Sequence, residues 1–391
     1  MISVTEALER LFALVQLTDV ETVDLSAAHD RVLAEDAIAR RTQPPFPASA
    51  MDGYAVRADE AVAGAMLSVA GEAAAGHRFK GPLPHRQAVR IFTGAPVPEG
   101  ADSILIQEDA TLVDGGISVD TPPKQGEYVR PAGGDFQTGA ALTAPRRLTP
   151  RNIALLAAMN VATVQVYRKP VVALIPTGDE LVLPGEEPGP DQIVTSNNFG
   201  LAAMLDQIGA EPRLCTIARD TADSLAEALE AAKDADFIVT LGGASVGDHD
   251  LVADVLGNHG LTLDFYRIAM RPGKPLMAGR LGDATMIGLP GNPVSAMVCG
   301  EIFLRPAVEA AMGLPAMARA EKRVVLSHGL GKNGPREHYM RAETNAQGAV
   351  TVFENQDSSL VAALSRANAL VIREPHAPAA SEGEFVRCIP L

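Results

Sequence analysis

The sequence predicts a multidomain protein of the α/β plus β class: a parallel α/β sheet domain, an inserted β-rich domain and a C-terminal β-barrel. The chain has 391 residues, 47% of them hydrophobic, which is too long for one ordinary domain and apolar enough for several cores. Strand and helix patterns alternate in its middle, as in a parallel sheet covered by helices. Short alternating strands, separated by glycine and proline, occur before and after this region.

These patterns divide the chain into four predicted domains. Amphipathic helix patterns in two separate segments indicate a connecting domain that is interrupted by the inserted β-rich domain. The α/β domain and the small barrel follow it. The predicted bounds are 1–41 with 139–165 for the connecting domain, 42–138 for the insertion, 166–318 for the α/β domain and 319–391 for the barrel.

Hydroxyl side chains predict where three helices begin. Thr149 precedes Pro150, a pair typical of the N-cap and first position of a helix. Ser196 and Thr221 stand before the apolar helical patterns of the α/β region.

Composition excludes several functions. The net charge of −15, the absence of tryptophan and an aromatic content of 4% argue against nucleic acid as the main partner. No apolar run reaches the roughly 18 residues of a membrane span. The three cysteines are far apart, which argues against structural zinc and fits a reducing compartment. We therefore expect a cytoplasmic protein that acts on a small molecule.

Five unusual loops follow predicted strands of the α/β region. In a parallel sheet such loops converge on one edge, where ligands bind. They read PTGDEL, RD, GGASVGDHD, RPGKP and GLPGNPVS, starting at Pro176, Arg219, Gly242, Arg271 and Gly288.

The loops contain groups that favour an anion and carboxylates that favour a metal ion. Glycines allow backbone N–H groups to approach a phosphate, Asn292 and Pro293 mark a helix start that favours anions, and Arg271 and Lys274 add positive charge. The second kind is a set of hard oxygen ligands suited to Mg²⁺. These carboxylates are Glu180, Asp220, Asp248 and Asp250. Phosphate donors beside magnesium ligands predict a substrate with a pyrophosphate.

Ser245 allows a different interpretation. The segment from Gly243 to Gly247 fits the G-x-S-x-G pattern of a serine hydrolase, in a strand–turn context. That hypothesis does not explain the RPGKP, PTGDE or GLPGNPVS loops, and no oxyanion loop of the HGGG type is present. We favour Ser245 as a hydroxyl within a phosphate-binding turn.

Two further strings carry a family resemblance. PPFPASAMDGYAV begins at Pro44 and RIFTGAPVPEGAD begins at Arg90. Together with the strand-end loops they resemble the molybdopterin molybdenumtransferase family, which includes the E domain of gephyrin. The resemblance covers roughly residues 40 to 300, and it assigns the α/β domain to the molybdopterin-binding type.

The resemblance implies a reaction and partners. Adenylylated molybdopterin would react with molybdate and Mg²⁺ to give molybdenum cofactor and AMP. A homodimer with a shared active site is implied, in which Asp52 and Thr93 face Asp250 of the other subunit, and the molybdopterin adenylyltransferase is a candidate partner. Two rivals are that adenylyltransferase itself, which lacks the inserted domain, and a scaffold role.

Motif matching and the loop chemistry together give the predicted site. One departure from the family is Arg271, where lysine is frequent; a planar guanidinium changes oxyanion geometry. Predicted catalytic residues are Asp52, Glu180, Asp220 and Asp250. Predicted metal ligands are Glu180, Asp248 and Asp250. Predicted substrate-binding residues are Thr93, Asp135, Gly242, Gly243, Ser245, Gly247, Arg271, Lys274, Pro275, Pro290, Gly291, Asn292, Pro293, Ser295 and Arg341.

Overall fold

The computed structural model describes residues 1–243, 255, 257 and 259–391. Within that part of the chain, none of the helices is both long and apolar enough to span a membrane. The helices are Val4–Leu14, Pro150–Ala158, Asn197–Gln207, Ala222–Ala231, Pro293–Cys299, Arg305–Ala311 and Val361–Arg366, with a π-helical turn at Gly300–Leu304 and short 3₁₀ turns at Leu25–Ala27 and Gln107–Asp109.

The predicted helix starts have different cap geometries. The Thr149 side chain accepts a hydrogen bond from the Asn152 backbone in a capping box, and Pro150 occupies the first turn. Thr221 caps its helix in the same way, through the Ser224 backbone N–H. Ser196 precedes its helix as predicted, but its side chain forms no capping hydrogen bond.

A six-stranded sheet forms the centre of the α/β region. Four neighbouring strands are parallel, as the sequence predicts, and two more add on antiparallel. The strands Met277–Leu281 and Ala284–Leu289 pair antiparallel because a two-residue connection at Gly282 and Asp283 joins them as a hairpin and leaves no room for a crossover helix. In spatial order the strands are Glu211–Leu214, Val171–Pro176, Phe237–Leu241, Ala284–Leu289, Met277–Leu281 and Leu261–Tyr266.

Both faces of this sheet are buried. Side chains alternate along the strand Val171–Pro176, so that Val172 and Leu174 enter one core and Ala173 and Ile175 enter the other. The first core also contains the N-terminal helix, and the second contains the helix Ala222–Ala231. The strands that carry the loops of interest are thus packed on both faces.

The helix that follows the last parallel strand is interrupted. The α-helix Pro293–Cys299 passes through the π turn Gly300–Leu304 before it continues as Arg305–Ala311. Pro306 has no backbone N–H to donate to the preceding turn, which accounts for a break in the regular hydrogen-bond pattern at this place.

The segment before the α/β sheet forms two larger sheets. One is a four-stranded sheet that contains the first strand of the chain and the strand that leads into the α/β region. Its order is Val20–Asp24, Thr163–Tyr167, Val32–Leu33 and Arg146–Arg147. The other has the order Ser103–Ile106, Gly53–Val56, Gln87–Ile91, Met66–Ala73, Gly116–Val119 and Ala110–Val113. Small pairs complete this part, Ala48–Ser49 with Val129–Arg130 and Ala37–Ile38 with Ala141–Leu142.

The C-terminal region is a closed β-barrel, as predicted. Five strands close on themselves, because the strand Glu337–Thr344 pairs with both of its neighbours in the ring. The short strand Met270–Arg271 of the preceding region adds to it in parallel and ties the barrel to the α/β sheet. Around the barrel the strands are Glu337–Thr344, Ala349–Val352, Lys322–Leu326, Phe385–Pro390 and Ala369–Arg373.

Candidate active site

A cleft of about 800 Å³ opens at the carboxyl ends of the parallel strands. This is the edge where open α/β sheets bind ligands. Nine of the predicted site residues line it: Glu180, Asp220, Gly242, Gly243, Pro275, Pro290, Gly291, Asn292 and Pro293. The other lining residues are Thr177, Gly178, Leu181, Ile193, Val194, Thr195, Ser196, Asn197 and Leu241.

The loop after the first strand brings two carboxylates to this cleft. Gly178 has a φ of +143°, and a Cβ there would lie 2.2 Å from Glu180 Oε2, so the carboxylate folds over a position that only glycine suits. The Asp220 backbone N–H donates to Asp179 Oδ1 at 3.1 Å. Glu180 and Asp220 therefore sit on two adjoining loops of one cleft.

Arg219 holds these loops together. Its Nη1 donates to the backbone carbonyls of Gly178, Asp179 and Leu181 at 3.3, 3.1 and 3.0 Å. The sequence placed Arg219 in a pair at a strand end, and no role was predicted for it. Its position near a glycine loop at the neighbouring strand end was the feature that could have indicated one.

Close backbone contact shapes the middle of the cleft. Gly242 and Gly243 have φ values of +114° and +63°, which glycine tolerates and other residues rarely adopt. A Cβ on Gly242 would lie 2.7 Å from Thr177 Oγ1, and one on Gly291 would lie 3.5 Å from the Gly242 Cα. The glycines thus let three loops meet without side chains between them.

The start of the helix at Pro293 forms the far wall. Asn292 makes no capping bond with its side chain; instead its Nδ2 donates to Ser358 Oγ of the barrel at 3.2 Å. The Val294 N–H donates to the Ser358 carbonyl at 3.1 Å. Asn197, which sequence reasoning missed, donates through Nδ2 to the Gly291 carbonyl at 2.7 Å. The sequence carries no signal for this contact, because Asn197 and Gly291 are far apart in the chain.

Several predicted site residues lie near the cleft without being part of its lining. Arg271 and Lys274 are exposed on the loop that contributes Pro275. Ser295 is buried in the first turn of its helix, with 4% of its surface exposed.

Arg341 is buried inside the structure. It lies on a barrel strand with 1% of its surface exposed. Its guanidinium donates to Gln356 Oε1 at 3.2 Å, to the Asp357 carbonyl at 2.7 Å and to the Asn355 carbonyl at 3.4 Å. Arg341 thereby fixes the loop that carries Ser358 to the cleft.

The predicted residues of the inserted sheet form a separate group. Asp52 Oδ1 accepts hydrogen bonds from the Thr93 N–H at 2.7 Å and from Thr93 Oγ1 at 2.8 Å. These bonds, with the nearby Arg90, lower the pKa of Asp52 and keep it ionised. Asp52, Thr93 and Asp135 are exposed and are not part of the cleft lining in the same chain.

Four predicted site residues lie outside the described residues: Ser245, Gly247, Asp248 and Asp250. Among the residues that are described, no group of three or more histidine, cysteine, aspartate or glutamate side chains is arranged to hold a metal ion. The roles assigned to individual residues stay predictions.

The fold and the cleft together define a multidomain α/β protein with a cleft at the strand ends of its sheet, joined to a closed barrel. Three family models match the chain: the MoeA N-terminal region (domains I and II) over residues 2–160, the probable molybdopterin binding domain over 173–310, and the MoeA C-terminal region (domain IV) over 323–391. The chain belongs to the MoeA family, and both the family prediction and the fold prediction are confirmed.

Similar proteins agree with this assignment. A molybdopterin molybdenumtransferase of Haemophilus influenzae is 35% identical over 381 residues, covering 95% of this chain and 94% of the relative. One of Nostoc is 39% identical, covering 82% and 76%. The solved structure of a molybdopterin biosynthesis MoeA protein from Pyrococcus horikoshii matches with a TM-score of 0.85 and 30% identity, covering 100% of this chain and 99% of the other. The relatives' names confirm the predicted enzyme class, a transferase of molybdenum cofactor biosynthesis.

Proposed function

We propose that this chain inserts molybdate into adenylylated molybdopterin and releases AMP in a Mg²⁺-dependent reaction. One observation carries the proposal: two carboxylates, two glycines with left-handed backbone and a helix start all line one cleft of about 800 Å³. That combination suits a substrate with a phosphoanhydride. The curated relatives are named molybdopterin molybdenumtransferase, which supports the transfer of molybdenum to molybdopterin.

The backbone of the cleft would hold the anhydride. Positive φ values at Gly242 and Gly243 let the backbone approach a bound anion closely. The Gly242 N–H already donates to the Leu289 carbonyl at 3.1 Å, so we propose that Gly243 and the glycine-rich segment after it supply the donors. The helix that begins after Asn292 adds the favourable end of its dipole. Lys274, exposed beside the lining residue Pro275, would balance phosphate charge as AMP leaves.

The donor set fits a magnesium ion. Mg²⁺ is usually held by one or two carboxylates together with substrate phosphates and water, and Glu180 and Asp220 both line the cleft. Asp248 and Asp250, which follow Gly243 in the chain, are proposed to join them. The bound ion would neutralise charge that develops on the anhydride.

Molybdate needs cations and hydrogen-bond donors. Arg271 and Lys274 are exposed cations on the loop that reaches the cleft at Pro275. Ser295 lies in the first turn of the neighbouring helix. We propose that Arg341 contributes through the loop that it fixes, since its donors are already bonded to that loop.

We further propose a homodimer with a shared active site. Asp52 and Thr93 are bonded to each other, exposed, and away from the cleft of their own chain, which suits residues that serve the partner near its Asp250. Light scattering at micromolar concentration should give a dimer, and a fully active monomer would contradict this. The same proposal includes the four domain bounds given above. It also includes the molybdopterin adenylyltransferase as the donor of the substrate, and a cytoplasmic location.

The reaction is tested by AMP release from adenylylated molybdopterin supplied with molybdate and Mg²⁺. Asp250→Asn keeps the shape of the side chain and removes a charge, so we expect about a 10²- to 10⁴-fold slower release with binding retained. Ser245→Ala should cost about 0.5–1.5 kcal/mol, the value of one hydrogen bond. Excess EDTA should stop turnover.

Three results would contradict the proposed reaction. A serine hydrolase with Ser245 as its nucleophile predicts a nearly inactive Ser245→Ala variant beside an active Asp250→Asn variant. Release of pyrophosphate instead of AMP, from ATP and molybdopterin, would identify the adenylyltransferase. Full turnover in excess EDTA would show that the reaction does not need a divalent metal ion.

A further inference from the structure

The two loops that carry the carboxylates of the cleft are joined in two different ways. As far as Ala218 the join is backbone to backbone: the Ala218 N–H donates to the Pro176 carbonyl at 2.8 Å, and the Gly178 N–H donates to the Ala218 carbonyl at 3.0 Å. Beyond Ala218, the bonds that the described residues form between the two loops involve side chains. The positions of Glu180 and Asp220, which come after this point, therefore depend in part on side chains.

Arg219 makes most of these side-chain bonds. Its Nη1 nitrogen has two N–H bonds, which are shared among the carbonyls of Gly178, Asp179 and Leu181 at 3.3, 3.1 and 3.0 Å. Three carbonyl oxygens that converge on one point repel each other, so the positive charge of the guanidinium stabilises their arrangement. We expect the loop to relax when this cation is removed.

One guanidinium thereby acts on both carboxylates of the cleft. Glu180 stands between Asp179 and Leu181, and the carbonyls of both neighbours are bonded to Arg219. Asp220 follows Arg219 directly in the chain, and its own N–H donates to Asp179 Oδ1 at 3.1 Å. A change at Arg219 is therefore expected to shift two proposed metal ligands at once.

The carboxylates themselves are available for a metal ion. In the part of the chain that the structure describes, neither Glu180 nor Asp220 uses its carboxylate in a hydrogen bond or an ion pair, and both line the cleft. Arg219 is exposed and is not among the residues that line the cleft. It is thus placed to act through these ligands and not on the substrate itself.

We propose that Arg219 is a positioning residue for the divalent metal ion of the reaction; this rests on the proposed function. Residues that hold metal ligands in place without touching the ion typically change metal affinity about 10- to 100-fold when they are mutated. A residue that served only the fold would instead change the stability of the chain. The two roles can be told apart here, because Arg219 is exposed and its loops keep their backbone bonds at Ala218.

Three variants separate the charge, the donors and the position. Arg219→Met removes the charge and the donors and keeps an unbranched side chain. Arg219→Lys keeps a charge and places three N–H donors on one nitrogen, which suits carbonyls that converge on one point. Arg213→Met is the matched control, because Arg213 lies on the strand Glu211–Leu214 of the same sheet and pairs with Asp234. Asp234 precedes the strand Phe237–Leu241, at the edge of the sheet opposite the cleft.

Mn²⁺ is the probe, since carboxylates bind it as they bind Mg²⁺ and its free ion gives a strong EPR signal. Binding is measured on the full chain, at a temperature where each variant is folded. We expect the unaltered chain, Arg219→Lys and Arg213→Met to have Kd values within about threefold of one another, and Arg219→Met to bind about tenfold more weakly or worse. The midpoints of urea denaturation should be similar in Arg219→Met and Arg213→Met.

Four results would overturn the proposal. The first is an Mn²⁺ Kd of Arg219→Met equal to that of the unaltered chain or of Arg213→Met. The second is an equal loss of affinity in Arg219→Met and Arg219→Lys. The third is the absence of saturable Mn²⁺ binding by the unaltered chain. The fourth is a denaturation midpoint of Arg219→Met far below that of Arg213→Met, which would assign Arg219 to the stability of the fold.

A titration of AMP release with Mg²⁺ keeps this proposal separate from the proposed function. We expect Arg219→Met to need about tenfold more Mg²⁺ for its half-maximal rate, with an unchanged KM for adenylylated molybdopterin once Mg²⁺ is saturating. Mn²⁺ binding that responds to Arg219→Met, in a chain that releases no AMP, would retain the positioning role and refute the proposed reaction. AMP release with the same Mg²⁺ dependence in both proteins would retain the reaction and refute the positioning role.

Discussion

The cleft has two edges that are built by different means. On the α/β side, Gly178 and Gly242 adopt positive φ values so that loops pack backbone against backbone. On the barrel side, the guanidinium of the buried Arg341 donates hydrogen bonds to one loop, and Ser358 of that loop accepts a hydrogen bond from Asn292. The glycine-built edge depends on missing side chains, whereas the arginine-built edge depends on one large side chain. We therefore expect an added atom to destabilise the first edge, and the loss of a hydrogen-bond donor to destabilise the second.

The largest expected effect is on the arginine-built edge. Arg341→Met removes the three hydrogen bonds by which a buried guanidinium holds the loop from Asn355 to Asp357, while the bonds between the Arg341 backbone and the Gln356 side chain remain. We expect the free energy of unfolding to fall by about 3 kcal/mol or more, measured by chemical denaturation. Lys332→Met, at an exposed cation of the same region, is the control and should change it by less than about 0.5 kcal/mol. Equal losses would show that the donors of Arg341 do not stabilise this edge.

The glycine-built edge should respond somewhat less. In Gly242→Ala the new Cβ lies 2.7 Å from Thr177 Oγ1 and 2.8 Å from the Thr177 carbonyl, at a φ of +114°. We expect a loss of about 2–3 kcal/mol of stability. Gly64→Ala separates the two causes, because Gly64 has a φ of +75° with nothing within 4 Å of the added atom. Gly64→Ala should lower the free energy of unfolding by about 1 kcal/mol. The same loss at both positions would show that the contact with Thr177 does not destabilise Gly242→Ala.

The barrel edge should also be sensitive to acid. Burial, together with the nearby cations Arg271, Arg341, Arg336 and Arg373, lowers the pKa of His338 from 6.5 to about 4. A lowered pKa means that the unfolded chain binds the proton more readily, so this contribution is complete above pH 6.5 and is lost as the pH falls toward 4.

His338→Gln should therefore flatten the dependence of stability on pH in that window. We expect the unaltered chain to lose about 1–2 kcal/mol more than the variant between pH 7 and pH 4.5, measured by denaturation at each pH. Parallel pH profiles would mean that folding does not lower the pKa of His338.

The smallest expected effect concerns the contact between the two edges. Ser358→Ala removes the hydrogen bond from Asn292 Nδ2, while the bond from the Val294 N–H to the Ser358 carbonyl persists. We expect a loss of about 0.5–1 kcal/mol of stability. A loss above about 2 kcal/mol would show that the hydroxyl, and not the backbone, joins the barrel to the cleft.

Much of the fold and of the candidate site could be predicted. Gly242, Gly243 and Asn292 were predicted because strand-end glycines and a helix start have a direct chemical signature, and all three line the cleft. Arg341 was predicted from a motif, but its burial was not. Asn197 was missed, since a single asparagine in a helical pattern carries no signal until Gly291 is brought beside it by the fold.

The sequence by itself determined the alternation of strand and helix, the glycine loops, and the order of the sheet and barrel segments. It did so because periodicity, turn residues and caps act over a few neighbouring positions. Only the tertiary structure decided that two strands join the α/β sheet antiparallel, that Ser358 reaches Asn292, and that Arg219 bonds to the loop of Glu180. Each of these depends on contacts between residues far apart in the chain, and the packing of whole domains sets such contacts.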